Sequence, residues 1–153
     1  MREDTFERQS TIAAPVDELR DWHFREGAFL RLNPPWEKAE LVDSFPELKD
    51  GARAVIEVGV GPFKQRWVAD HEIIEEGFLD RQTSGPFASW EHRHLFREEE
   101  SGTSRLTDSI RYRLPLGPLG RLFGNPIVIP KLARMFRYRH SVTTTDLERR
   151  PQH

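Results

Sequence analysis

The chain has 153 residues, a length that suits one domain with a single hydrophobic core. Its 23 basic and 25 acidic residues give a net charge of −2, which argues against general affinity for nucleic acid. The absence of cysteine excludes disulfides, thiolate metal sites and cysteine nucleophiles. No apolar run reaches membrane-spanning length, and the acidic first residues lead us to expect no secretory signal. We therefore expect a cytoplasmic protein with one domain over residues 1–150 and a disordered tail at 151–153.

The first predicted elements are one strand and two short helices. Residues Thr5–Ala13 show the rough alternation of apolar and polar side chains that favours a strand. Pro15 suits the first turn of a helix, and apolar residues follow at helical spacing up to the break at Gly27. A second helix is predicted over Ala28–Leu32, because Asn33 and the two prolines after it end the pattern.

Six further strand-like segments follow, each separated from the next by a short turn signal. Connections this short force neighbouring strands to run antiparallel. The segments are Trp36–Phe45, Ala52–Val60, Phe63–Ile74, Phe78–Ser84, Ser89–Arg97 and Thr103–Leu114.

The last part of the chain contains a segment rich in proline and glycine and then a long helix. Leu114–Gly120 has too many prolines and glycines for helix or central strand, whereas Pro126–Leu147 shows helical periodicity. The whole stretch Leu114–Pro130 is apolar for a loop, so it either packs under the sheet edge as core or forms a lid. Residues 121–150 hold seven basic and two acidic side chains, so a lid there could contact an anionic membrane or a partner chain.

This order predicts an α+β fold, with a curved seven-stranded antiparallel sheet around a long C-terminal helix and two short helices between strands 1 and 2. Strand parity then identifies the inner face of the sheet. In Ser89–Arg97, the residues Trp90, His92 and His94 alternate with charged residues that must face solvent. The other inward-facing aromatic and polar residues found by parity are Trp67, His71, Asp80, Gln82, Asp108 and Tyr112.

Hairpin geometry arranges the inward-facing polar residues in two rows. The rows are Asp80–His94–Asp108 and His71–Gln82–His92–Ile110. Opposed side chains have Cβ atoms about 5 Å apart, so His94 should reach Asp80 or Asp108 with a hydrogen bond.

Four roles are open for these polar residues. They can satisfy one another as a core network, orient a mainly apolar ligand, or act as general acid and base. A metal could use the His92-x-His94 pair beside His71 or Asp108, but two same-face residues one apart are common by chance. No metal and no cofactor are therefore expected.

Six phrases spread over nearly the whole chain carry a family resemblance. They are Trp22-His23 with Gly27 to Trp36, Gly61-Pro62 with Trp67-x-Ala69-x-His71, Phe78-x-Asp80-x-Gln82 to Phe96, Asp108-x-x-x-Tyr112-x-Leu114-Pro115, Phe136-x-Tyr138-Arg139-His140, and Asp146-Leu147. Together they resemble the helix-grip superfamily of START and Bet v 1-like domains, also called SRPBCC. Within it they are most similar to a bacterial cyclase/dehydrase-like group that forms the N-terminal part of some epimerase-like proteins.

The resemblance implies binding or transport of a small hydrophobic ligand, lipid-like or polyketide-like, in a pocket between the sheet and the C-terminal helix. The residues expected to contact the ligand are Trp67, His71, Gln82, Trp90, His92, His94, Asp108, Tyr112 and Phe136. One alternative is a cyclase or dehydratase whose candidate catalytic residues are His94, Asp108 and Asp80. Another is a non-catalytic interaction module whose cavity is filled. Neither nucleic acid nor stable membrane insertion is expected, and a homodimer is compatible with the sequence.

Overall fold

Seven strands form one antiparallel sheet in the computed structural model, which describes residues 2–43 and 47–149. The strands are β1 (Asp4–Ile12), β2 (Ala39–Leu41), β3 (Arg53–Val58), β4 (Gln65–Ile74), β5 (Gly77–Ser84), β6 (Ser89–Glu98) and β7 (Ser104–Arg113). Their order across the sheet is β1-β7-β6-β5-β4-β3-β2. The predicted antiparallel architecture is confirmed, and the predicted tail at 151–153 lies outside the described residues.

The predicted second and fourth strands begin later in the structure, and the predicted end of the second, Phe45, lies outside the described residues. Strand β2 pairs with β3 only over Ala39–Leu41. Trp36 lies before this strand and packs edge-on against Tyr138, with ring centroids 5.2 Å apart. Phe63 belongs to a 3-10 turn over Gly61–Phe63, because Pro62 fits the first turn of a helix, and its side chain is 85% exposed. Phe63 therefore lies outside the strand that was predicted to begin with it.

Three helices complete the fold: α1 (Val16–Phe24), α2 (Ala28–Leu32) and α3 (Gly117–Glu148). The two short helices lie between β1 and β2, as predicted, and none of the three is both long and apolar enough to cross a bilayer. The buried face of the short helices packs with the last turns of α3 and the near end of the sheet. The residues of this cluster include Leu19, Trp22, Ala28, Leu32, Phe78, Phe96, Val142 and Leu147.

Helix α3 begins at Gly117, so the prediction that the segment up to Gly120 is non-helical is wrong. Proline in a first turn loses no hydrogen bond, because the N–H groups there have no helical partner. Pro126 and Pro130 lie inside the helix, four residues apart on one face. The backbone bonds that they remove are therefore confined to one side of α3, and the opposite side continues.

The early part of α3 is largely exposed, so the core interpretation of Leu114–Pro130 does not hold for most of its apolar residues, although Leu114 and Val128 pack partly against the core. As a helix, the segment presents its apolar side chains at three- and four-residue steps on a surface that the sheet does not cover. Each of the following is between 63% and 81% exposed: Leu116, Leu119, Leu122, Phe123 and Ile127. We call these five residues the apolar stripe of α3.

Candidate functional site

A pocket of about 740 Å³ lies between the concave face of the sheet, α2 and α3. This volume falls in the range of roughly 300–1,000 Å³ that small-molecule sites occupy. The two tryptophans predicted to border it, Trp67 and Trp90, do so, and Phe136 reaches it from α3. The cavity is therefore open, whereas the interaction-module alternative expects a filled one.

Aromatic rings form one wall of the pocket. Trp67 and Trp90 meet edge-on with centroids 5.0 Å apart, and Phe87 lies 5.5 Å from Trp67 and 4.8 Å from Trp90. The ring of Phe136 stands perpendicular to that of His92, 5.2 Å away. Rings that contact one another in these geometries stabilise the wall and leave their remaining faces to the pocket.

The base of the pocket is polar and consists of His71, Asp80, His92 and His94, all inward-facing as predicted. The order of contacts differs from the predicted rows. The hairpin between β6 and β7 has the expected register, with His94 opposite Asp108. In the two hairpins before it, however, Asp80 lies opposite His71 and His92 rather than opposite His94.

Gly77 explains the register error between β4 and β5. The sequence Glu75-Glu76-Gly77 predicts a turn that includes the glycine, but the turn is made by the two glutamates and Gly77 is already in β5. A Cβ there would overlap the backbone carbonyl of His94, so this glycine permits close approach of two strands. The turn is therefore centred one residue earlier than predicted, which moves every pairing by two residues.

The predicted hydrogen bonding of His94 is confirmed despite this shift. Its Nε2 lies 2.8 Å from Oδ2 of Asp80, on the diagonal between strands, and its Nδ1 lies 3.3 Å from Oδ1 of Asp108. Nε2 of His92 donates to the same oxygen of Asp108 across 2.6 Å. One buried carboxylate thus holds both histidines of the His92-x-His94 pair.

Two further members of this network, His140 and Ser10, were missed from the sequence. His140 on α3 donates from Nε2 to Oδ2 of Asp108 across 2.7 Å, and its Nδ1 accepts from the Ser10 hydroxyl, also at 2.7 Å. His140 falls four residues after Phe136, on the buried face of the helix, and this spacing is the signal that could have identified it. Ser10 follows from no local pattern.

The charges in the network follow from these contacts. Burial alone would raise the pKa of Asp80, but the neighbouring His92 and His94 lower it to about 2. Burial likewise opposes ionisation of Asp108, but hydrogen bonds from His140, His92 and His94 hold its pKa well below the usual value. Burial lowers the pKa of His94, yet the hydrogen bonds to Asp108 and Asp80 outweigh it and the net shift is upward. Burial and the adjacent His94 lower the pKa of His92. The network therefore places two ionised carboxylates beside two histidines whose pKa values are shifted in opposite directions.

Asp80, His92 and His94 are also the residues that could hold a metal, because one ligand atom from each lies within 4.8 Å of the others. These are donor types that zinc and other transition metals accept. Asp80 and His94 already satisfy each other through their 2.8 Å contact. A metal would have to displace the proton that they share.

Three residues predicted to contact a ligand support the site from behind instead, since they are not among the described residues that border the pocket. The Gln82 amide exchanges two hydrogen bonds with the backbone of Phe87, at 2.8 and 3.3 Å, and so fixes the turn between β5 and β6. Tyr112 is 1% exposed and donates to Oδ1 of Asn125 across 2.9 Å. Asp108 lies beneath the histidines. Tyr112 and Asp108 are buried and Gln82 is half-buried, and none of the three reaches the pocket surface.

Comparisons with known proteins found no matching family profile and no matching curated protein. Solved structures do match. A nucleoside-diphosphate sugar epimerase from Corynebacterium glutamicum is 27% identical with a TM-score of 0.69, and the match covers 94% of this chain and 29% of that one. The Zhui aromatase/cyclase from Streptomyces sp. R1128 is 15% identical with a TM-score of 0.74, covering 99% and 97%. A START superfamily protein from Mycobacterium smegmatis is 12% identical with a TM-score of 0.65, covering 94% and 97%.

These likenesses show that the chain has the helix-grip fold of START and Bet v 1-like proteins. They also show that it spans less than a third of the length of the epimerase that it resembles.

Proposed function

We propose that the chain binds a small, mainly apolar ligand, lipid-like or polyketide-like, in the pocket between the sheet and α3. The observation that carries this proposal is the 740 Å³ pocket itself, with an aromatic wall over a fully paired polar base. Apolar walls supply the affinity for such a ligand, and a few fixed polar groups orient it.

Similar structures support this choice of ligand. One is named an aromatase/cyclase, and another is a norcoclaurine synthase from Thalictrum flavum in complex with dopamine and hydroxybenzaldehyde, both small aromatic molecules. The rings of Trp67, Phe87 and Trp90 offer an aromatic ligand the stacked and edge-on contacts that such rings favour.

The test uses the neutral fluorescent probe N-phenyl-1-naphthylamine together with native mass spectrometry of the isolated protein. We expect the probe to bind with a blue-shifted emission and a co-purifying small molecule to be detected. Ala69→Phe fills the pocket and should abolish probe binding, because Ala69 borders it. Ala88→Phe places the same bulk on an exposed turn residue and should leave binding intact. Equal binding by both variants would overturn the proposal.

A second candidate function is acid–base catalysis of the cyclase or dehydratase type, and the Asp80–His94 contact favours it. In the dehydration of a β-hydroxy ketone, the neutral form of His94 would take the α-proton at Nε2 and then give it to the leaving hydroxyl, forming an enone and water. Asp80, 2.8 Å away, would stabilise the imidazolium between the two steps, and both groups end as they began.

The two candidates are separated by an absorbance assay with 4-hydroxy-4-phenyl-2-butanone. Catalysis predicts enone formation that His94→Gln removes, while the same variant still binds the fluorescent probe. Probe binding without turnover in the unmodified protein would leave ligand binding alone.

A further inference from the structure

Arg139 on α3 borders the pocket, and its guanidinium lacks a polar partner. Its Nε is buried and makes no hydrogen bond within the part of the chain that the structure describes. Its one assigned contact is with an aromatic ring, since Cζ lies 5.2 Å from the centroid of Phe136. Several other arginines are paired, as in the 2.8 Å contact of Arg31 with Asp146 and the 2.7 Å contact of Arg53 with Asp70. Nε of Arg8 is also buried without a partner among the described residues, but Arg8 does not border the pocket.

The missing partner is energetically important because Arg139 is half-buried and its Nε is shielded from water. Burial lowers the pKa of Arg139, although a guanidinium stays positively charged at neutral pH. Taking a cation out of water costs several kcal/mol unless an opposite charge or hydrogen bonds compensate. The five N–H donors of a guanidinium form a planar fork that fits the two oxygens of a carboxylate.

The acidic residues around the pocket attract Arg139 from a distance without pairing with it. Asp80 and Asp108 favour its charge, but each is engaged by histidines. Glu37 also favours it, and Oε2 of Glu37 lies 3.8 Å from Nζ of Lys131 while its Oε1 is buried without a partner. No described carboxylate lies within 4.0 Å of the Arg139 guanidinium.

We infer that Arg139 binds the anionic head of the ligand, so that the ligand class is an apolar body carrying one carboxylate. The inference rests on the proposed ligand-binding function and deepens it. Phe136 holds the guanidinium against the aromatic wall. An acid whose apolar part contacts Trp67 and Trp90 would thus bring its carboxylate to the open donors of Arg139. The carboxylate of the ligand would then supply the negative charge that no described residue provides to Arg139.

The experiment compares dodecanoate with 1-dodecanol, which share a chain and differ in the charge of the head group. Both displace N-phenyl-1-naphthylamine from the protein at pH 7.4. We expect dodecanoate to bind at least about tenfold more tightly than the alcohol, because a charge-assisted bidentate contact is among the strong polar interactions. Arg139→Gln should reduce this preference to less than about twofold while leaving the affinity for the alcohol unchanged, and Arg139→Lys should restore part of it.

Arg134→Gln is the matched control. Arg134 also borders the pocket on α3, but it is exposed and already stacks over Trp36, with Cζ 4.0 Å from the ring centroid. This variant removes the same charge and should keep the preference for the acid. Glu37→Gln should increase the preference, because it removes a competing negative charge. Thermal denaturation verifies that each variant is folded.

Three results would overturn the inference, and they differ from failure of the proposed function. Equal affinity for acid and alcohol in the unmodified protein shows a pocket without an anion site. Equal loss of preference in the Arg134 and Arg139 variants shows a general positive field rather than a site. If the naphthylamine probe and both dodecyl compounds all fail to bind, ligand binding in this pocket and the anion site are both wrong.

Discussion

His140 of α3 and Asp108 of β7 meet at 2.7 Å, and this hydrogen bond joins the C-terminal helix to the sheet at the base of the pocket. Asp108 also holds His92 at 2.6 Å, so one carboxylate fixes both the helix and the polar surface below the ligand space. Its side chain is buried and its negative charge is balanced by the imidazoles around it.

Asp108→Asn should therefore destabilise the fold by about 3–5 kcal/mol, the usual cost of breaking a buried charge network. An amide nitrogen would face imidazole N–H donors, so at least one of the contacts at 2.6 and 2.7 Å must be lost. Urea denaturation at pH 7 measures the effect. Asp70→Asn is the control, because Asp70 pairs with Arg53 on the exposed face and should cost about 1 kcal/mol or less. Equal costs for the two variants would contradict the role given to Asp108.

Stability should fall on mild acidification because of His23. Burial lowers its pKa from 6.5 to about 4, against a backbone hydrogen bond to the Leu19 carbonyl. The unfolded chain therefore takes up a proton below pH 6.5 that the folded chain refuses until about pH 4. The free energy of unfolding should lose roughly 3 kcal/mol from this group between pH 7 and pH 4.

The measurement is urea denaturation of the unmodified protein and of His23→Phe at several pH values between 7 and 4. Other groups titrate in both proteins: His92 has a lowered pKa and adds to the loss, whereas His94 has a raised pKa and opposes it. The difference between the two proteins isolates His23. We expect the variant to have a shallower dependence on pH, and parallel curves would refute the assignment.

Gly77→Ala should disrupt the polar base without touching a polar side chain. The added methyl group would overlap the carbonyl of His94, and backbone in the middle of a sheet cannot move away cheaply. We expect a loss of more than about 2 kcal/mol in stability together with weaker probe binding. Gly102→Ala tests the opposite case: Gly102 has open space around it but a φ of +81°, so only a modest backbone cost is expected. A neutral Gly77 variant would show that the two strands can separate there.

The apolar stripe of α3 should bind weakly to anionic lipid vesicles. Its residues are exposed, and Ile127 borders the pocket beside the exposed cations Lys131 and Arg134. Apolar contact and basic charge together favour an anionic surface, and salt should weaken the binding. Sedimentation with anionic and neutral vesicles measures this.

Replacing Leu122 and Phe123 in that stripe by glutamate should abolish vesicle binding without loss of stability, since both are exposed. Leu30→Glu is the control, because Leu30 is 58% exposed on α2, outside the stripe. If the protein does not sediment with anionic vesicles at low salt, the expected membrane contact is wrong. A partner chain then remains as the candidate to cover the apolar stripe.

The direction of side chains was predicted best in strands where charged and uncharged residues alternate clearly. In Ser89–Arg97 the regular change between charged and uncharged residues placed His92 and His94 on the inner face, and the structure agrees. The register between strands was harder to predict, because the sequence does not distinguish a glycine that permits close approach of two strands from a glycine that makes a turn. Gly77 is the first kind and was interpreted as the second.

Long-range contacts explain the rest of what was missed. Ser10 and His140 are 130 residues apart, and no local pattern links them. The start of α3 was predicted wrongly because each proline was treated as a helix breaker. A proline in the first turn breaks no hydrogen bond, since the N–H groups there have no partner within the helix. A single domain over residues 1–150, a homodimer and a cytoplasmic location stay predictions.

The two prolines inside α3 divide the helix into parts of unequal stability. Proline lacks the N–H that would bond the carbonyl four residues earlier, so the carbonyls of Leu122 and Pro126 have no donor from the helix. Before them, Arg121 ties the helix to Asp4 of β1, with the Arg121 Nε 2.8 Å from Oδ1. After them, Leu132, Phe136 and His140 are buried. Asn125 adds hydrogen bonds with Asp4 and Tyr112, at 3.0 and 2.9 Å. The first part of α3 is therefore held by a few side-chain contacts and the second part by a buried face, so hydrogen exchange should be faster before Pro130 than after Leu132.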